Sequence, residues 1–118
     1  MKYLLFFTGT DEAFDLMKEP AKAAETYAAW NSYRQALDAA GVVVTPGVRM
    51  APPKSATTVR VRDGKRQVQD GPYAETKEML AGMMTIEVPD LDAALEWAAR
   101  SPAASYASVE VRPLHVDS

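Results

Sequence analysis

The chain has 118 residues, of which 47% are hydrophobic and 25% charged, a composition that suits one globular domain over residues 1–118. A formal charge of -3 and a pI near 5.1 argue against a general binder of nucleic acid or of anionic membranes. Cysteine is absent, which removes disulfides and thiolate chemistry and points to a cytoplasmic location.

In chain order, residues 3–7 read as a strand that is apolar on both parities. Tyr3, Leu5 and Phe7 fall on one face, Leu4 and Phe6 on the other. Such a strand needs cover on both sides. The run is shorter than the ~7–15 residues of a signal-peptide core, and no stretch approaches the roughly 20 apolar residues that span a bilayer. Residues 8–19 read as a polar connector. A long helix then runs from Pro20 to Ala40, with proline in its first turn and Gly41 at its stop. Tyr27, Trp30, Tyr33 and Leu37 recur on it at helical spacing, the pattern of a core stripe. A second use for Trp30 or Tyr33 is to wall a small apolar pocket between helix and sheet.

Val42-Val43-Val44 predicts a short strand closed by Thr45-Pro46-Gly47, followed by a proline-rich irregular arm to Ser55. A hairpin follows, with Thr57, Val59 and Val61 alternating with Thr58, Arg60 and Arg62, a turn at Asp63-Gly64, and a return over Arg66 to Asp70. Arg49, Lys54, Arg60, Arg62, Lys65 and Arg66 make this stretch basic, either a solvated face or an anion-attracting wall. Gly82 to Val88 predicts another strand. Asp90 caps a second helix whose buried stripe is expected to be Leu91, Ala94, Leu95 and Ala98, and Ser101-Pro102 stops it. Ser108 to Leu114 closes the chain as a strand, with Val109 and Val111 inward and Glu110 and Arg112 outward.

With the hairpin set aside as an insertion, the order is βαββαβ, an α+β, ferredoxin-like pattern. Its two helices cover one sheet face, so the other must be buried elsewhere, most simply on a twin copy. At about 25 cal/mol per Å2, burying some 600 Å2 of apolar surface per subunit corresponds to about 15 kcal/mol before association costs.

The densest run of polar chemistry is Asp70-Gly71-Pro72-Tyr73-Ala74-Glu75-Thr76-Lys77-Glu78. As structure, Gly71-Pro72 makes a turn, Tyr73 a half-buried anchor, and the second half one short helical turn. As function, Asp70, Tyr73, Glu75 and Glu78 rim a pocket opposite Arg60 or Arg62. Asp70 or Glu75 is then the candidate general base, and Trp30, Tyr33, Arg60, Tyr73 and Glu78 are the candidate ligand contacts. One histidine, His115, and scattered carboxylates match no metal-ligand spacing, and no phosphate-cradling glycine loop is present, so neither a metal nor a cofactor is expected.

DGPYAETKE at 70–78 is similar to the signature of DGPF-type proteins within the YCII-related group. The resemblance continues through AGMMTIEVPDLDAALEWAARSP at 81–102, VEVRPL at 109–114, TVRVRDG at 58–64 and the opening strand. It implies a ferredoxin-like subunit that pairs through its sheets into a dimeric α/β barrel, hence a homodimer with a possible small-molecule ligand. Some bacterial members are associated with alternative sigma factors, which implies a possible regulatory partner. The group's suggested His and Asp pair has no counterpart: the first helix carries Trp30, Asn31 and Tyr33, and Ser101 stands where the acid is expected. The resemblance therefore favours a binding or regulatory module, with a hydrolase- or lyase-like enzyme as the alternative.

Overall fold

The computed structural model describes residues 1–74 and 76–116. Its elements are β1 (Lys2–Gly9), α1 (Asp11–Leu16), α2 (Pro20–Ala40), β2 (Val43–Arg49), a 3-10 turn (Pro53–Ser55), β3 (Thr57–Arg62), β4 (Lys65–Asp70), β5 (Met79–Glu87), α3 (Leu91–Arg100), α4 (Ala103–Tyr106) and β6 (Val109–Pro113). A four-stranded sheet runs β2-β5-β1-β6, and β3-β4 form a separate two-stranded ribbon. With that ribbon as an insertion, β1-α2-β2-β5-α3-β6 is a ferredoxin-like α+β core.

The core lies between the sheet and the two long helices. Tyr3, Leu5 and Phe7 of β1 and Met84 and Ile86 of β5 meet Tyr33 and Leu37 of α2 and Ala94 and Ala98 of α3. The period-2 alternation decides which side chains those are. The same alternation puts Leu4, Phe6 and Met83 on the opposite, helix-free face, where each is half-buried. Phe6 faces Met83 on one side and Glu110 on the other, and Leu4 faces Thr85 and Arg112. Val48 pairs with Met83 and stands 52% exposed at the edge of this face.

Several boundaries follow the sequence logic. Gly41 ends α2 with φ 68°, and its N–H donates to the Asp38 and Leu37 carbonyls. Asp63 and Gly64 turn the hairpin with φ 52° and 73°, as a two-residue turn of positive φ requires. Asp90 caps α3, its carboxylate accepting from the Ala93 N–H at 2.9 Å. An Asp90→Ala variant will lose about 1 kcal/mol of stability in urea melts, the usual worth of an N-cap.

Other expectations need correction. Residues 8–19 contain α1, because Thr10 caps it by accepting from Ala13 N–H at 3.1 Å and Asp11 and Glu12 suit its first turn. β2 continues through Pro46 and Gly47 to Arg49, which an edge strand with register shifts tolerates. Leu91 and Leu95 are 47% and 46% exposed. The face of α3 that packs is Ala94 and Ala98 with Ala93 and Trp97, since alanines let the helix approach the sheet closely. Among the described residues of the 70–78 segment there is no helical turn.

The β3-β4 ribbon projects from the body. The radius of gyration is 16.2 Å, against about 13–14 Å for a closely packed chain of this length. No helix among the described residues is long and apolar enough to cross a membrane.

Candidate functional site

A cavity of about 430 Å3 opens between α1, α2 and the helix-covered face of the sheet. Its position follows from two glycines and an aromatic cluster. Gly82, on β5, passes so close to β2 that an added Cβ would stand 2.7 Å from the Val48 carbonyl oxygen. At Gly9 the missing Cβ makes room for the Phe14 ring, whose edge would lie 3.2 Å from it. Both positions lack a side chain that would otherwise fill the floor.

Phe7, Trp30 and Tyr33 form one wall, set edge to face with centroids 5.0 Å (Phe7–Trp30), 5.8 Å (Trp30–Tyr33) and 6.3 Å (Phe7–Tyr33) apart. Phe14 and Leu16 from α1, Met17 just after it, and Met50 and Met84 from the sheet side complete an apolar lining. Tyr33 is held by donating to the Trp97 carbonyl at 2.8 Å. Burial pushes its phenol up to about 12, with the Arg100 charge pulling weakly the other way. It remains a neutral wall at any ordinary pH, not a proton carrier.

A few polar and charged groups interrupt the apolar lining. The Arg49 guanidinium lies over the Tyr27 ring, 4.9 Å from its centroid, and its Nη1 donates to the Tyr27 hydroxyl. Tyr106, from α4, also lines the cavity. Burial raises its phenol, while a hydrogen bond from Trp30 and the Arg49 charge lower it. Lys22 and Glu25 pair with each other at 3.8 Å on the rim, while Arg34, more than two turns further along α2, lines the cavity away from them.

The 70–78 segment lies elsewhere. Asp70, Gly71, Pro72, Thr76 and Lys77 border a second, more polar groove of about 770 Å3, with Asp11, Asp15 and Lys54 opposite. Gly71 takes φ 98°, its N–H donates to the Ala56 carbonyl at 2.7 Å, and its own carbonyl accepts from Thr58 Oγ1 at 2.8 Å. Tyr73 is 81% exposed rather than a half-buried anchor, with the Arg60 guanidinium 5.7 Å from its ring centroid. Glu78 accepts from Ser108 Oγ at 2.6 Å, and Ser108 in turn bonds Thr8, so this carboxylate ties the segment to the ends of β1 and β6. Glu75 lies outside the described residues.

Of the sequence-derived candidates, Trp30 and Tyr33 are therefore brought together in the cavity, while Asp70 borders the groove and Arg60 and Tyr73 pair on the projecting ribbon. The sequence reading missed Phe14 and Tyr106 as lining, and named Arg49 only as one of the basic run that could form an anion-attracting wall. Thr10 followed by Asp11-Glu12 was a legible helix start that would have supplied Phe14. Tyr106 sits in a four-residue helix with no periodic signal. Among the described residues no group of three or more His, Cys, Asp or Glu side chains is placed to hold a metal ion.

Comparison with known proteins supplies context. An uncharacterized protein of Rhizobium meliloti (strain 1021), R00369, is 45% identical over 71 residues, which cover 58% of this chain. The match spans 57% of that relative's length. The fold matches 5-chloro-2-hydroxyhydroquinone dehydrochlorinase (TftG) from Burkholderia phenoliruptrix AC1100, solved in complex with 2,5-dihydroxybenzoquinone, with a TM-score of 0.55. That likeness covers 98% of this chain and 94% of the other at 15% sequence identity. A family model, the YCII-related domain, matches residues 1–115, and the chain belongs to that family.

Proposed function

We propose that this YCII-related protein is a small-molecule-binding module whose ligand, a small and largely apolar molecule of aromatic type, occupies the cavity between α1, α2 and the sheet. The observation that carries the reading is the lining: a cleft of about 430 Å3 walled by Phe7, Phe14, Trp30, Tyr33 and methionines, with a few charged groups among them. That is the usual anatomy of a ligand site, apolar in bulk with a few placed polar groups for orientation. Edge-to-face rings leave aromatic faces and edges for a further ring to meet. The ligand of the dehydrochlorinase of like fold, 2,5-dihydroxybenzoquinone, is a small six-membered ring of this class.

The working unit in this proposal is a homodimer joined through the helix-free sheet face. Leu4, Phe6 and Met83 support it, because they form an apolar centre that the chain's own helices do not cover. The enzymatic alternative would place its base at Asp70, Glu75 or Glu78; of these, Asp70 borders the groove and Glu78 the strand ends rather than the cavity, and Glu75 lies outside the described residues.

Titration calorimetry with 2-naphthamide, a neutral bicyclic probe, tests the site. The wild type will bind it, and Ala13→Phe, which projects a ring from α1 into the space, will weaken binding at least tenfold while keeping its melting temperature. Equal binding by both would place the ligand elsewhere.

A further inference from the structure

The charged groups that line the cavity are mostly cationic. Four of its lining residues are charged: Lys22, Glu25, Arg34 and Arg49. Glu25, the sole carboxylate, is engaged by Lys22 at 3.8 Å. Among the described residues, neither Arg34 nor Arg49 has a carboxylate within 4.0 Å. This local excess of cations sits in a chain of net charge -3.

The hydroxyls add to the bias. Tyr27 accepts from Arg49 Nη1, so its own hydrogen points away from the guanidinium. Tyr106 lines the same cavity, and its phenol feels both the Trp30 indole and the Arg49 charge, so a second hydroxyl lies within reach of an anion held by Arg49. Arg49 itself spends one N–H on Tyr27 and keeps the rest of its planar fork, which matches the two oxygens of a carboxylate. Stacking on Tyr27 holds that fork at the cavity rim at low entropic cost.

We propose that the ligand is an aromatic carboxylate, its ring among Phe7, Trp30 and Met84 and its carboxylate received by Arg49 with the hydroxyls of Tyr27 and Tyr106. This rests on the assignment of the ligand to this cavity. A planar monoanion suits the planar guanidinium fork, which meets two oxygens side by side.

The test pairs 2-naphthoate with its neutral isostere 2-naphthamide in titration calorimetry at low salt. The acid will bind about tenfold or more tighter than the amide to the wild type, the margin of one charge-assisted bidentate contact. In Arg49→Gln that margin, taken as the ratio of acid to amide affinity in the same variant, will shrink to about threefold or less. Equal binding of acid and amide to the wild type, or a margin that survives Arg49→Gln, overturns the carboxylate assignment and leaves the cavity standing. Failure of both probes to bind the wild type overturns the cavity reading, and this inference with it.

Discussion

A Phe6→Asp variant will sediment as a monomer at tens of micromolar, where the proposed wild-type dimer will hold together. Phe6 occupies the middle of the helix-free face, opposite Met83 on β5 and Glu110 on β6. A twin copy would bury it along with Leu4 and Met83. At about 25 cal/mol per Å2, some 600 Å2 of apolar surface per subunit is worth about 15 kcal/mol, enough to leave a surplus after the cost of association. Aspartate there must be dehydrated without a partner, a penalty of several kcal/mol in each of two symmetry-related places. Because Phe6 is half-buried in the lone subunit and points away from the helices, the variant's far-ultraviolet spectrum will stay that of the wild type. A wild type that sediments as a monomer at tens of micromolar would remove the dimer from this account.

Leu37→Ala will destabilise the fold by roughly 2–5 kcal/mol, as large-to-small changes at closed core sites do. Leu37 is 0% exposed on α2, packed with Tyr33 against β1 and β5. The adjoining helix gives the control. Leu95→Ala removes the same atoms from a side chain that is 46% exposed, and will cost under about 1 kcal/mol. Urea melts of the two variants separate these expectations clearly. Similar losses in both would mean that α3 buries Leu95 against something else in solution.

That contrast shows where the sequence was legible. The long helix, its Gly41 stop, the Asp63-Gly64 hairpin and the Asp90 cap were readable because each rests on a local backbone requirement that few residue types meet. Half of the expected α3 stripe holds, Ala94 and Ala98, while Leu91 and Leu95 were misread because Leu outranks Ala in hydrophobicity, whereas the sheet takes the smaller residues of the helix for close approach. β2 ran on past Pro46 because an edge strand needs only one row of hydrogen bonds, a fact fixed by strand order and invisible in the residues themselves.

The site was half legible. Trp30 and Tyr33 were readable as walls because helical periodicity aims them at the sheet. Tyr106 was not, and Arg49 was readable only as part of a basic run, since the two come together across more than fifty positions of chain through the packed β2 edge and α4. The 70–78 segment drew notice through its charge density, yet its bonds run largely to backbone and to Ser108, as bonds that hold a crossing between ribbon and sheet. Charge density marks a segment that water or polar partners must satisfy, and a turn meets that description as well as a pocket does.

The most direct measurement is a crystal structure of the protein grown with 2-naphthoate. The account predicts ring density between Trp30 and Met84, beside Phe7, with the carboxylate within 3.2 Å of Arg49, a normal charge-assisted hydrogen-bond length. Ring density in the groove bordered by Asp70 and Lys77, with the α1–α2 cavity empty or filled by shifted side chains, would contradict it.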